Sequence, residues 1–198
     1  MATARDRILE VSEELFRRQG ITGTGLKQIL EQAHAPFGSL YHHFPGGKNE
    51  LAAVTIERAG AHYAALVAAS LGDPGDDAPG RLRRSFEGAA ETLRTTDYAD
   101  ACPIETVALE VASTDEELRQ ATARVFDSWT EQLMAWLAGA GVPAEVRRDL
   151  ALTILSALEG AFVLARATRA PDAVLAAGQA MERLLDAALR SNATAVDR

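Results

Sequence analysis

A chain of 198 residues is long enough to bury a sizeable core and short enough for one or two small domains. Its composition, 47% hydrophobic and 24% charged, is that of an ordinary globular protein, and its single cysteine, Cys102, excludes an internal disulfide and a cysteine-rich metal site. A net charge of −8 argues against a nucleic-acid partner, yet residues 1–50 carry six Lys/Arg against six Asp/Glu, so all the excess negative charge lies downstream. A near-neutral head on an acidic body permits a DNA-facing surface without diagnosing one.

The first residues, Met-Ala-Thr-Ala-Arg-Asp-Arg, lead straight into charged sequence, so no signal peptide is expected. The apolar charge-free run Leu150 to Leu158 is too short to cross a bilayer, and a cytoplasmic protein without a membrane partner is expected. Arg5 to Gln19 reads as a helix, with Ile8, Val11, Ser12, Leu15 and Phe16 on one face and Gly20 as its stop. Thr24 is the expected N-cap of a short second helix carrying Leu26, Ile29, Leu30 and Ala33. His34-Ala35-Pro36 breaks that helix, and Phe37 to Phe44 forms a third. Three short helices with a tight turn between the second and third are a helix-turn-helix arrangement.

A long helix, Lys48 to Leu71, follows, with Leu51, Thr55, Ala59, His62 and Leu66 along one side. Gly72 to Gly80 is the clearest loop. Further helices are predicted over Arg81–Thr95, from Pro103 to about Ala112 with Ile104, Val107, Ala108 and Val111 inward, and from a capped start at Ser113–Glu117 to Gly139. The last two, Ala144–Thr168 and Pro171–Ser191, include a segment apolar on every side, which must be covered on both. A second copy of the chain is the economical cover, with Ala176, Ala177, Gly178 and Ala180 permitting close approach, so a homodimer through these helices is preferred to a monomeric bundle. No segment alternates as a strand does. The expected fold is all-α with about nine helices, divided into residues 1–47, a helix-turn-helix head, and residues 48–198, a helical body that carries the dimerisation surface.

The third helix concentrates the chemistry. Gly38-Ser39-Leu40-Tyr41-His42-His43-Phe44 puts small residues, a tyrosine and two histidines on a helix whose Leu40 and Phe44, four apart, share a face that can be buried behind them. Pro45-Gly46-Gly47 turns the chain, and Lys48 sits in the first turn of the next helix, where free backbone N–H groups favour an anion, here read as a DNA phosphate.

On these residues the chain resembles the TetR (tetracycline repressor) family of bacterial transcriptional regulators. The resemblance covers residues 5–51: Ile8-Leu9, Leu15-Phe16 and Gly20, Thr24 with Leu26-Lys27-Gln28-Ile29, Gly38 through Phe44, and Lys48-Asn49-Glu50-Leu51. Pro45-Gly46-Gly47-Lys48 and Cys102-Pro103-Ile104 resemble a subgroup linked to drug or flavonoid-like inducers. Two departures stand out: Phe37 replaces a basic or small polar residue, and His34-Ala35-Pro36 replaces an Ala-Gly-Val type of turn. The resemblance implies a dimer binding double-stranded DNA at a palindromic operator. It also implies a small, largely apolar inducer that binds the body and releases the DNA. Repression is the family default; activation, or regulation without an inducer, is the alternative.

In that setting Tyr41 is expected to donate its hydroxyl to a phosphate while its ring touches a thymine methyl, rather than to sit half-buried in a core. His42 is expected at a base edge or phosphate. A metal reading of His42 and His43 fails because neighbours on a helix point apart and no third ligand is evident. His43 divides evenly between phosphate contact and packing. Gly38 and Ser39 form the close-approach surface, Thr24 a cap and phosphate contact, Lys27 a phosphate or base contact against a solvated lysine, and Lys48 a phosphate clamp. Phe37 is either a lost polar contact or an apolar wedge against a thymine methyl, and the sequence does not decide. In the body, Phe86, Leu109, Phe126, Trp129, Leu133 and Phe162 are candidates to line a ligand pocket, against plain core packing for each. Glu105 and Glu110 are candidates for a cationic ligand, against ordinary surface acids. No cofactor or metal is expected. No phosphate-cradling loop, zinc-protease helix or nucleophile elbow is present, and Cys102 has no local activating base, which argues against an enzyme. A head that binds protein instead of DNA is separated from this reading by salt, since only phosphate contacts weaken steeply as it rises.

Overall fold

Thr3 starts the first helix one residue earlier than its apolar spacing predicts. Its hydroxyl oxygen accepts the Asp6 N–H at 3.2 Å, and the Asp6 carboxylate accepts from the Thr3 N–H at 3.1 Å and the Thr3 hydroxyl at 2.8 Å. Two orphan donors are thus satisfied reciprocally. The hydrogen bond from the Thr3 side chain is the first reason that the Asp6 carboxyl titrates below its ordinary value. The computed structural model describes residues 2–99 and 102–196. Among them are nine α-helices: α1 (Ala4–Gln19), α2 (Leu26–Gln32), α3 (Phe37–His43), α4 (Lys48–Leu71), α5 (Ala78–Thr95), α6 (Pro103–Val111), α7 (Glu116–Gly139), α8 (Ala144–Thr168) and α9 (Asp172–Val196). No strand occurs among the described residues, so the fold is all-α as its periodicity predicts. Contacts divide the chain into two compact units, Met1–Tyr63 with Ala101–Phe126, and Ala64–Asp100 with Asp127–Arg198.

In the first unit α1 buries Ile8, Leu9, Ser12, Leu15 and Phe16, the Ser12 hydroxyl donating to the Ile8 carbonyl at 2.7 Å. The cap of α2 differs from expectation. Gly25 is its N-cap and makes no side-chain bond, while the buried Thr24 hydroxyl donates to the Gly20 carbonyl at 2.6 Å and accepts from Gln19 Nε2 at 3.2 Å. Thr24 therefore closes the preceding turn, which is the nearer unsatisfied backbone. The buried side of α4 also departs from the predicted face. It runs through Leu51, Thr55 and Ala59 and continues in steps of four to the half-buried Tyr63 and Val67 and the buried Leu71, leaving His62 and Leu66 exposed. A step of three at Ala59 would have kept the row to one side; a row of fours drifts by about 40° per step, so the buried side winds around this helix along its length.

Glu110 of α6 ties this unit together in a way its exposure in sequence did not suggest. Its Oε2 accepts the Thr22 N–H at 2.9 Å, and a Cβ on Gly20 would lie 1.5 Å from its Oε1, so the turn after α1 folds directly against the carboxylate. The candidate role in holding a cationic ligand is replaced by this backbone contact. Glu110→Ala is expected to remove about 1 kcal/mol of local stability, seen as roughly fivefold faster hydrogen exchange at the Thr22 amide. Unchanged exchange there would show that the bond is not maintained in solution. At the start of α7, Asp115 Oδ1 accepts the Leu118 N–H at 3.0 Å and its Oδ2 accepts from Asn49 Nδ2 at 2.8 Å, so the cap is Asp115 and the chain from Ala112 to Thr114 is a turn.

In the second unit α5 begins three residues before the predicted start. Asp77 accepts the Gly80 N–H at 3.2 Å as a cap, and Pro79, which needs no donor partner, fits the first turn. The core gathers Phe86, Leu93, Leu137, Ile154, Val174 and Leu185, with Phe162 partly buried against it. Helices α5 and α9 pack closely at Gly178, where an added Cβ would lie 2.6 Å from the Phe86 Cβ. This small residue therefore serves packing within the chain and not, as predicted, an approach by a second copy. The short charge-free run Leu150–Leu158 lies within a helix of 25 residues whose most apolar 18-residue window has a mean hydropathy of 1.6, long and apolar enough by those measures to cross a membrane; 33% of that window is buried.

Candidate nucleic-acid interface

The turn between α2 and α3 is built from backbone hydrogen bonds. The Ala35 N–H donates to the Leu30 carbonyl at 3.0 Å and the His34 N–H to the Glu31 carbonyl at 3.2 Å, the paired bonds of a Schellman stop, with His34 at φ 49°. Arg7 of α1 reaches across to the freed end of α2, its Nε donating to the Ala33 carbonyl at 2.9 Å and its Nη2 to the His34 carbonyl at 3.5 Å. A cation at the carbonyl end of a helix is favourably placed. Pro36 then caps α3, and Leu40 and Phe44 are buried beneath it.

What α3 presents outward is small or aromatic. A Cβ built on the exposed Gly38 would meet no atom within 4 Å, so nothing inside the protein requires a glycine there. Its smallness bears only on what comes from outside. Phe37 is 60% and Tyr41 51% exposed, and their rings lie 5.9 Å apart at 55°. The Tyr41 ring is braced from behind by Gly47, whose added Cβ would stand 3.7 Å from Cε1. Ser39 is half-buried, His42 exposed and His43 half-buried, with the two imidazole centroids 4.8 Å apart and His43 edge-on to Phe44 at 6.4 Å.

Several cations of the head are engaged within the protein. Lys48 Nζ donates to the Ile21 carbonyl at 2.7 Å, which the sequence did not foresee, and this fixes the same turn that Glu110 holds by its Thr22 N–H. Lys27 stands exposed 3.7 Å from Glu31, a solvated pair worth little, Arg18 pairs with Glu14 at 3.2 Å, and Arg5 lies 5.6 Å over the Phe44 ring. Phe37, Gly38, Ser39, Tyr41 and His42 thus share one short helix, Lys27 lies on the helix before it, and Thr24 is turned inward.

The six ligand-pocket candidates do not share one unit. Leu109 and Phe126 fall in the first and Phe86, Trp129, Leu133 and Phe162 in the second. Leu109 is 75% exposed on α6, so it lines no interior of its own unit, and Phe86 and Leu133 are buried core. A cleft in the first unit, among Phe16, Ile56, Pro103 and Val107, encloses about 10 Å³, room for a water and far below a ligand site, and none of the six borders it.

Residues 8–54 match the family model "Bacterial regulatory proteins, tetR family", and residues 80–180 match "Transcriptional regulator LmrA/YxaF-like, C-terminal domain". The chain belongs to the TetR family. A relative from Mycobacterium tuberculosis H37Rv, the uncharacterized HTH-type transcriptional regulator Rv0196, is 31% identical over 177 residues, 85% of this chain and 87% of that one. The Bacillus subtilis regulator YxaF is 33% identical over 161 residues, 81% of this chain and 84% of its own. The regulatory protein TetR from Rhodobacter sphaeroides superposes with a TM-score of 0.81 at 23% identity, covering 92% of this chain and 98% of that one, a likeness of fold. As a TetR-family member the protein is a transcriptional regulator with a DNA-binding helix-turn-helix, and not an enzyme.

Proposed function

We propose that this TetR-family regulator is a cytoplasmic repressor that binds a palindromic operator as a homodimer and is released when a small, largely apolar molecule enters the body. In this reading residues 1–47 are the DNA-binding head and 48–198 the ligand-binding and dimerisation body. The observation that carries the reading is the outer face of α3, where Gly38 has no internal reason to be a glycine and Tyr41 stands half in solvent beside it. A major groove admits such a helix, with its first residues at the base edges. Dimerisation draws support from the apolar side chains that α8 and α9 leave exposed, among them Val163, Leu164 and Leu184. In a DNA-binding regulator a second copy covers such a surface, and α8 need not enter a membrane. The inducer rests on the response to small molecules that is typical of the TetR family, to whose C-terminal domains the body is matched.

The test is retention of duplex fragments from the gene's own neighbourhood, titrated with salt and repeated with Lys48→Ala. Specific and nonspecific duplexes are expected to weaken alike, and the slope of log affinity against log salt to shrink by about one unit per copy bound. The variant also loses the tie to Ile21, so a lower melting temperature accompanies the change. A lower melting temperature with an unchanged salt slope would make Lys48 a structural tie only.

A further inference from the structure

We propose that Phe37, with the Tyr41 ring beside it, reads thymine 5-methyl groups in the major groove, so that each half-site carries a thymine the protein recognises by apolar contact. The proposal rests on α3 being the helix that enters the groove. Three observations carry it. Phe37 opens α3, and the first residues of a recognition helix are those that reach base edges. Its ring is 60% exposed and leans on Tyr41, 51% exposed, at 5.9 Å. Two adjacent aromatic rings standing in water on one seven-residue helix are a costly surface unless something apolar covers them. Lys48 is engaged by the Ile21 carbonyl and Arg7 by the Ala33 carbonyl. Neither of these two side chains supplies the polar base-edge chemistry that a basic residue would bring at position 37. The major groove offers one apolar group that distinguishes a base, the methyl of thymine. The gap between the rings is under two base-pair steps of roughly 3.4 Å, so each ring can meet a methyl on its own base pair.

The experiment separates this proposal from the reading beneath it. The full chain selects its preferred duplex from a randomised library, and the enriched site is resynthesised with deoxyuridine at one thymine at a time, which deletes only the methyl. At the thymine that faces Phe37 in each half-site the wild-type protein is expected to lose about fourfold in affinity, the factor for one buried methyl-sized group. Phe37→Ala is expected to bind the thymine duplex about fourfold more weakly per half-site and to show equal affinity for thymine and uracil there. Because Phe37 is exposed the variant should fold, and the uracil series on the wild type decides the matter without it. Uracil tolerated at every thymine, or a Phe37→Ala protein that keeps the wild-type preference, would overturn the proposal while leaving α3 in the groove. A library that yields no enriched duplex would remove the reading of α3, and this inference with it.

Discussion

A Tyr41→Ala protein is expected to lose operator binding while keeping its helix content and its assembly. Tyr41 lies outside the buried core, its ring touching only Gly47 and Phe37 among the neighbours described above, so its removal opens no cavity. Substitutions at such sites usually shift stability by less than about 0.5 kcal/mol. A direct contact to DNA is worth about 1–3 kcal/mol, and two copies on one operator double it, giving a loss between roughly 30-fold and 10⁴-fold. The measurement is duplex binding at fixed salt, with circular dichroism and light scattering as controls. Wild-type affinity in the variant would place the DNA surface elsewhere on the head.

Gly178→Val is expected to destabilise the second unit markedly. A Cβ there would fall 2.6 Å from the Phe86 Cβ and 3.2 Å from its Cγ, and the Arg83 carbonyl oxygen lies at 3.5 Å. The obstacle is the stem of a buried phenylalanine, which cannot swing aside as a flexible chain end can, so α5 and α9 must part. Overpacking of this kind costs about 1–3 kcal/mol, against which alanine would gain back about 1 kcal/mol of helix propensity and valine less. Gly88 on α5 supplies the contrast, since a Cβ there meets nothing within 4 Å. Gly88→Ala is expected to raise the melting temperature and Gly178→Val to lower it by roughly 5–10 °C. If both changes moved it the same way, the close approach of α5 and α9 would be wrong.

The sequence made the helices legible because their apolar residues recur at helical spacing and their ends carry glycine and proline. Lys48 to Leu71 and Ala144 to Thr168 were read to the residue. Ends set by side-chain chemistry were harder. Asp77, Asp115 and Gly25 took caps that periodicity could not assign, because any of several neighbouring polar residues satisfies the same pattern. The outer face of α3 was legible for a related reason: Leu40 and Phe44, four apart, mark its buried side and leave Gly38, Tyr41 and His42 outward. The ties of Lys48 to Ile21 and Glu110 to Thr22 were not legible, since they join residues 27 and 88 positions apart through backbone atoms that every residue shares. The pocket candidates failed to converge on one unit because an aromatic at helical spacing is equally suited to filling a core.

The positive φ of His34 has a consequence for how this head can vary. Left-handed backbone is open to glycine and, at some strain, to asparagine, aspartate and histidine, and is close to forbidden for branched side chains. The angle at which α3 leaves α2 therefore hangs on a very short alphabet at one position, while the side chains that face outward from α3 are under no such restriction. Drift in what the protein recognises is cheap; drift in the pitch at which it presents that recognition is not.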